Sequence, residues 1–144
     1  MTGYDLLLIT HFIGLALALG TGFANIRLGM ATADMSPEDR TKFFLRAFAL
    51  AKNGSIGVLL LFLSGVGMLF ARGVAAMFAL GGATFHAKLA LVLVLMGLLG
   101  WLQVLTKRAR EAQGGPTMAQ IPKVGRAMLL TGIAIVVLAV LSFH

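Results

Sequence analysis

The sequence predicts an all-α integral membrane protein, a single four-helix bundle over residues 1–144 with both termini on the outer, periplasmic side of a bacterial inner membrane. Hydrophobic residues make up 59% of the chain and charged residues only 12%, against about 25% charged residues in soluble domains. The apolar residues form four long uncharged blocks, each close to the ~20 residues that a helix needs to cross a bilayer. The predicted spans are residues 5–28, 50–71, 85–106 and 123–143.

The first predicted span is uncharged from Leu6 to Ile26 apart from His11. Gly14, Ala18 and Gly22 follow His11 at helical spacing and share one face of the helix with it. Small residues at this spacing allow a second helix to pack closely. The same clearance would admit a flat ligand beside the imidazole, so the sequence leaves both interpretations open.

The second predicted span begins outside the bilayer. Ser36 is an N-cap residue followed by Pro37 and two acidic residues, which together indicate the start of a helix. An amphipathic segment with basic and phenylalanine side chains follows, as is typical of a membrane-surface anchor. From Asn53 to Ala71 the chain is uncharged for nineteen residues, which completes the span.

The third predicted span carries two ionisable residues at its start. Leu89 to Thr106 is uncharged for eighteen residues, while a charge left in hydrocarbon costs at least ~2.5 kcal/mol. His86 and Lys88 lie about 200° apart around the helix, so only one can point straight into the bundle. We favour an inward His86, with Gly97 on the same face, and an outward Lys88 at the headgroups; the reverse arrangement remains open.

Turn signals separate the third span from its neighbours. Gly81-Gly82 breaks the helix before it, and Gly114-Gly115-Pro116 forms a turn after it. Pro122 can open the last helix, in which Ala127 to Phe143 gives seventeen uncharged residues.

The positive charges predict the orientation. The first and third connections are rich in Lys and Arg, whereas the second holds only Arg72, with Lys88 at its edge. By the positive-inside rule the first and third connections face the cytoplasm. The net charge of +7 is thereby explained without a nucleic-acid partner. This topology places His11 and His86 at similar depths near the outer surface.

Two imidazoles at matched depth on two helices of a bundle are a common arrangement for the axial ligands of a haem. We therefore predict haem b as the cofactor, with His11 and His86 as metal ligands and no catalytic side chain. The remaining predicted cofactor contacts are Lys88, Gly14, Ala18 and Gly97. The chain contains no cysteine, which excludes thiolate ligands and c-type haem attachment. Two histidines without nearby acids are too few for a zinc site.

The order of these features resembles the HemJ-type family of small membrane proteins, which is linked to protoporphyrinogen oxidation. A histidine early in the first span is followed by small residues, the motif H-A-K-L opens the third span at His86, and Ile121-Pro122 precedes a last span rich in valine and isoleucine. The resemblance implies four helices, a haem or porphyrin partner, and functional roles for His11 and Lys88. The family's usual Asn-Glu-Pro before the last helix is Gln120-Ile121-Pro122 here.

These observations lead to one favoured function and three alternatives. The favoured function is a membrane b-type haem protein for electron transfer or haem and porphyrin handling. The first alternative is a HemJ-like protoporphyrinogen IX oxidase, and the second is a non-catalytic accessory subunit of a larger membrane complex. A copper-handling protein is the third. The lipid bilayer is the predicted partner in all of them, and a homodimer is compatible with the glycine-rich faces.

Overall fold

The computed structural model describes residues 2–80 and 82–141, which form helices and their connections and contain no strand. Gly81 and residues 142–144, at a predicted helix break and at the end of the fourth predicted span, lie outside this part of the chain. The helices are α1 (Gly3–Ala31), α2 (Pro37–Arg72), the short α3 (Val74–Leu80), α4 (Gly82–Glu111) and α5 (Ile121–Leu141), with a 3-10 turn at Pro116–Ala119 before α5.

Four of these helices are long and apolar enough to cross a membrane: α1, α2, α4, and α5 together with the turn before it. Large apolar side chains such as Phe12, Phe70 and Leu93 are 60–70% exposed on the bundle surface. Contact of such side chains with lipid chains is favourable, whereas their exposure to water is not. The prediction of a multi-pass membrane bundle is therefore confirmed at the level of four apolar helices.

Local sequence signals set the helix ends. The Ser36 hydroxyl accepts a hydrogen bond of 3.2 Å from the backbone N–H of Asp39, and α2 begins at Pro37 as predicted. Gly114 and Gly115 adopt positive φ angles of 122° and 76°, which favour glycine, and they end α4 at the predicted turn. The short helix α3 was not predicted; it lies within the second connection.

The long helices alternate in direction and form a ring in which α1 contacts α2 and α5, and α4 contacts α5 and, less extensively, α2. One end of the bundle holds the start of α1, the end of α2 and the start of α4, and we call it the termini end. There the Arg72 guanidinium lies 5.1 Å from the centre of the Tyr4 ring. The opposite end, which holds the α1–α2 and α4–α5 connections, is the connection end.

The closest helix contact joins α1 and α2. A Cβ atom added to Gly57 would lie 2.5 Å from the Ala18 nitrogen and 2.8 Å from the Gly14 carbonyl oxygen. The two backbones can approach this closely only because residues 14 and 57 are both glycine. The helix-packing interpretation of the Gly14 and Ala18 face is confirmed.

Farther toward the connection end, α2 and α4 are joined by a hydrogen bond of 2.6 Å from Gln103 Nε2 to the Ser55 hydroxyl. Because α2 and α4 run in opposite directions, this bond fixes which residues of the two helices lie at the same level.

Candidate functional site

The candidate site is a polar cluster of His11, Ser64 and Lys88, contributed by α1, α2 and α4 in the half of the bundle nearer the termini end. His11 Nδ1 lies 2.9 Å from the Ser64 hydroxyl oxygen. Ser64 is only 2% exposed. Lys88, on α4, is partly buried in the same half of the bundle. His11 and Ser64 thus meet across α1 and α2 inside an otherwise apolar span, and Lys88 adds a positive charge nearer the termini end.

The hydrogen bonds of Ser64 determine which ring nitrogen of His11 is protonated. The Ser64 hydroxyl donates its single proton to the Leu60 carbonyl oxygen at 2.5 Å. It must therefore accept a hydrogen bond from the N–H at Nδ1 of His11. The lone pair of a neutral His11 is then left at Nε2, as in metal-ligating histidines that donate their other ring N–H to a neighbouring acceptor.

Lys88 carries a positive charge and forms no ion pair with a carboxylate of residues 2–80 or 82–141. It is partly buried, its Nζ lies 5.6 Å from the centre of the Phe85 ring, and Phe85 itself is 5% exposed. Within residues 2–80 and 82–141, the two ion pairs are Lys42–Glu38 and Lys107–Glu111. Asp5, the acidic residue of α1, instead accepts a 2.6 Å hydrogen bond from the Thr2 backbone N–H. A ligand with a negative charge would supply the counter-charge that the described residues do not.

The structure corrects the expected orientation of His86 and Lys88. His86 is exposed, and its Nδ1 donates to the Gly82 carbonyl oxygen of its own helix at 2.7 Å. Lys88 takes the inward direction, since the two positions lie about 200° apart. His86 instead lies in an aromatic group, 5.6 Å from the centre of the Phe78 ring.

The expected matched depth of the two histidines is also corrected. The bond of Gln103 to α2 sets a register in which His86 lies level with Arg72. Arg72 lies over Tyr4, which is seven residues before His11. At ~1.5 Å per residue, His86 is about 10 Å closer to the termini end than His11. The structure does not bring the two predicted metal ligands together.

The predicted small-residue contacts are separated as well. Gly14 and Ala18 face α2 and leave no room for a ligand on that side of α1, because the Gly57 backbone occupies it. Gly97 is exposed, and a Cβ added there would have nothing within 4 Å. It therefore lies on the outer face of α4, away from His11. The glycine opposite the imidazole is Gly65, where an added Cβ would lie 3.5 Å from His11 Cε1.

Ser64 was not predicted from the sequence. A serine within an apolar span usually bonds a backbone carbonyl of its own helix and gives no functional signal. Its spacing did indicate which face of α2 it occupies. Ser64 follows Gly57 by seven residues, two helical turns, and so lies on the α2 face that packs against α1. His11 precedes Gly14 by three residues on the complementary face.

The residues present offer one ligand for the predicted haem, His11 through Nε2, and one cation, Lys88, for a carboxylate. They do not fit a haem held by His11 and His86 together. Within the part of the chain that the structure describes, no group of three or more His, Asp or Glu side chains could hold a metal ion.

Comparison of the chain with protein-family models, curated proteins and solved structures finds no match. The resemblance to the HemJ-type family therefore stays a prediction based on the motif at His86 and on the order of features along the chain.

Proposed function

We propose that this protein binds a haem or a related carboxylate-bearing porphyrin within the membrane, and that His11 is the histidine that would ligate the metal. The observation that supports this proposal most strongly is the His11–Ser64–Lys88 cluster. It combines an imidazole whose protonation is fixed by a serine with a partly buried cation in the same half of the bundle, which has no acidic partner among the described residues. The proposed setting is a bacterial inner membrane, with the termini end on the periplasmic side.

Each residue of the cluster has a separate role in this proposal. His11 supplies Nε2 to the metal, Ser64 holds the imidazole in the required tautomer, and Lys88 pairs with a carboxylate of the ligand. When bound, the haem supplies one-electron redox chemistry at its iron. The role of the protein is then electron transfer or haem handling near the surface that carries the termini.

The proposal is tested by the absorption spectrum of the full chain, extracted gently from its own membranes. We expect b-type bands in the dithionite-reduced minus oxidised spectrum and about one haem per chain by pyridine haemochrome assay. Because one histidine leaves the sixth position of the iron open, carbon monoxide should shift the reduced spectrum. A well-folded, colourless preparation that also fails to take up added haem or protoporphyrin would overturn the proposal and favour the accessory-subunit alternative.

Replacing Lys88 with methionine should change stability and ligand binding in opposite directions. Loss of a partly buried, unpaired charge should stabilise the ligand-free protein by about 1 kcal/mol. Loss of the charge-assisted contact should weaken the ligand about tenfold. Thermal unfolding without ligand and haem titration measure the two effects. Lys107→Met is the matched control, since the Lys107 side chain is 78% exposed. Neither its unfolding temperature nor its haem affinity should change. Unchanged haem affinity in Lys88→Met would show that Lys88 is not part of the site.

A further inference from the structure

A second polar site lies between α2 and α4 near the connection end. A small cleft of about 60 Å³ opens there, enough for a few water molecules or one small oxyanion. Five of its eight lining residues are polar or basic, and the other three are apolar. The cleft is lined by Phe48, Ala51, Lys52 and Ser55 of α2 and by Leu102, Gln103, Thr106 and Arg110 of α4.

The cleft holds two positive charges, Lys52 and Arg110, that no carboxylate in the described part of the chain neutralises. Neither Lys52 nor Arg110 forms an ion pair with a described residue. The Arg110 guanidinium lies 5.7 Å from the centre of the Phe48 ring, and Phe48 is 5% exposed. A cation–π contact with a buried ring holds the guanidinium at the cleft and leaves its N–H groups available to an anion.

Neutral hydrogen-bond donors complete the lining. Gln103 uses one amide N–H to bond Ser55, which leaves its second N–H available. The hydroxyls of Thr10, Thr41 and Thr131 each donate to the backbone carbonyl four residues earlier. The Thr106 hydroxyl has no such partner among the described residues, so its proton is also available.

We propose that this cleft binds a phosphate group. Two cations, an amide and a hydroxyl match a tetrahedral oxyanion that carries more than one acceptor oxygen. Basic pockets between transmembrane helices bind the headgroups of anionic lipids, and this cleft lies where α2 and α4 approach the connection end. The phosphate can come from such a headgroup or from a free phosphate compound, and both sources share this chemistry. The site is separate from the His11 cluster and does not depend on the function proposed for it.

The test measures thermal unfolding of the full chain in dodecyl maltoside with three probes: phosphatidylglycerol, phosphatidylcholine, and inorganic phosphate against chloride at equal ionic strength. We expect phosphatidylglycerol to raise the Tm more than phosphatidylcholine. A rise with inorganic phosphate as well would identify a site open to free phosphate, whereas a rise with the lipid alone would identify a headgroup site. No selective rise with either phosphate source overturns the proposal.

Variants distinguish the cleft from general surface charge. Arg110→Gln and Lys52→Gln should each weaken the effective phosphate source about tenfold, since each removes a charged donor. Arg108→Gln is the matched control. This substitution removes the same charge from the same turn of α4, but Arg108 does not line the cleft. Equal losses in Arg108→Gln and Arg110→Gln would overturn the proposal.

Discussion

Alanine at position 57 is expected to prevent α1 and α2 from packing as they do in the native bundle. The added Cβ of Gly57→Ala would meet the backbone of α1 at Ala18 and Gly14, at 2.5 Å and 2.8 Å. Backbone atoms cannot move aside as the end of a flexible side chain can, so the two helices must separate. We expect a loss of about 3 kcal/mol of stability and a Tm lower by roughly 10 °C.

Gly97→Ala is the matched control, because it makes the same chemical change in the interior of another long helix. A Cβ at Gly97 has nothing within 4 Å, and alanine favours the helix over glycine by about 1 kcal/mol. Its Tm should therefore be unchanged or slightly higher. Monodispersity on size exclusion after stepwise heating in detergent measures both variants. Equal tolerance of alanine at both positions would contradict the close contact of α1 and α2.

The sequence was sufficient to predict the membrane-spanning part of the fold. The lengths of the uncharged blocks gave the four long helices, and Ser36, Pro37 and the Gly114-Gly115 pair gave specific helix ends. Such signals are local, because a helix end satisfies its own backbone groups and a span must match the bilayer thickness. The helix α3 was missed because its seven residues, all apolar, have no capping signal that distinguishes them from a connection.

The rotation and depth of the site residues could not be predicted in the same way. The angle between His86 and Lys88 on α4 follows from their spacing, but which of them points inward does not, since that depends on how α4 packs against α2 and α5. Equal distance from a predicted span end also does not give equal depth. The helices α1, α2 and α4 contain 29, 36 and 30 residues and extend by different amounts beyond a core of about 20 residues.

The contacts of His11, Ser64 and Gln103 join different helices and therefore could not be predicted from the sequence. Ser64 gains its role only from the packing of α1 on α2, and Gln103 only from its bond to Ser55. In an isolated span each would be an ordinary polar residue. Predicting them requires the register between helices, which is set by close contacts such as Gly14 with Gly57.

The sharpest consequence of the corrected geometry is that the two histidines should respond differently to alanine substitution. His11→Ala removes the proposed axial ligand and should abolish the haem spectrum, whereas His86→Ala should leave haem content within about a fifth of the wild-type value. His86 is exposed, about 10 Å away along the helix axis, and bonded to its own helix through Gly82. Haem content per folded chain, measured after size exclusion, compares the variants directly.

The same pair of variants also separates ligation from a structural role of His11. If His11 ligates the iron through Nε2, free imidazole added to His11→Ala should restore part of the haem spectrum, because free imidazole can ligate the iron in place of the missing side chain. A structural role through Ser64 predicts no such rescue. Equal loss in His11→Ala and His86→Ala would require both histidines at one iron and a bundle rearranged by about 10 Å along α4. Unchanged spectra in both would place the haem elsewhere and leave Lys88 and Ser64 without the ligand proposed for them.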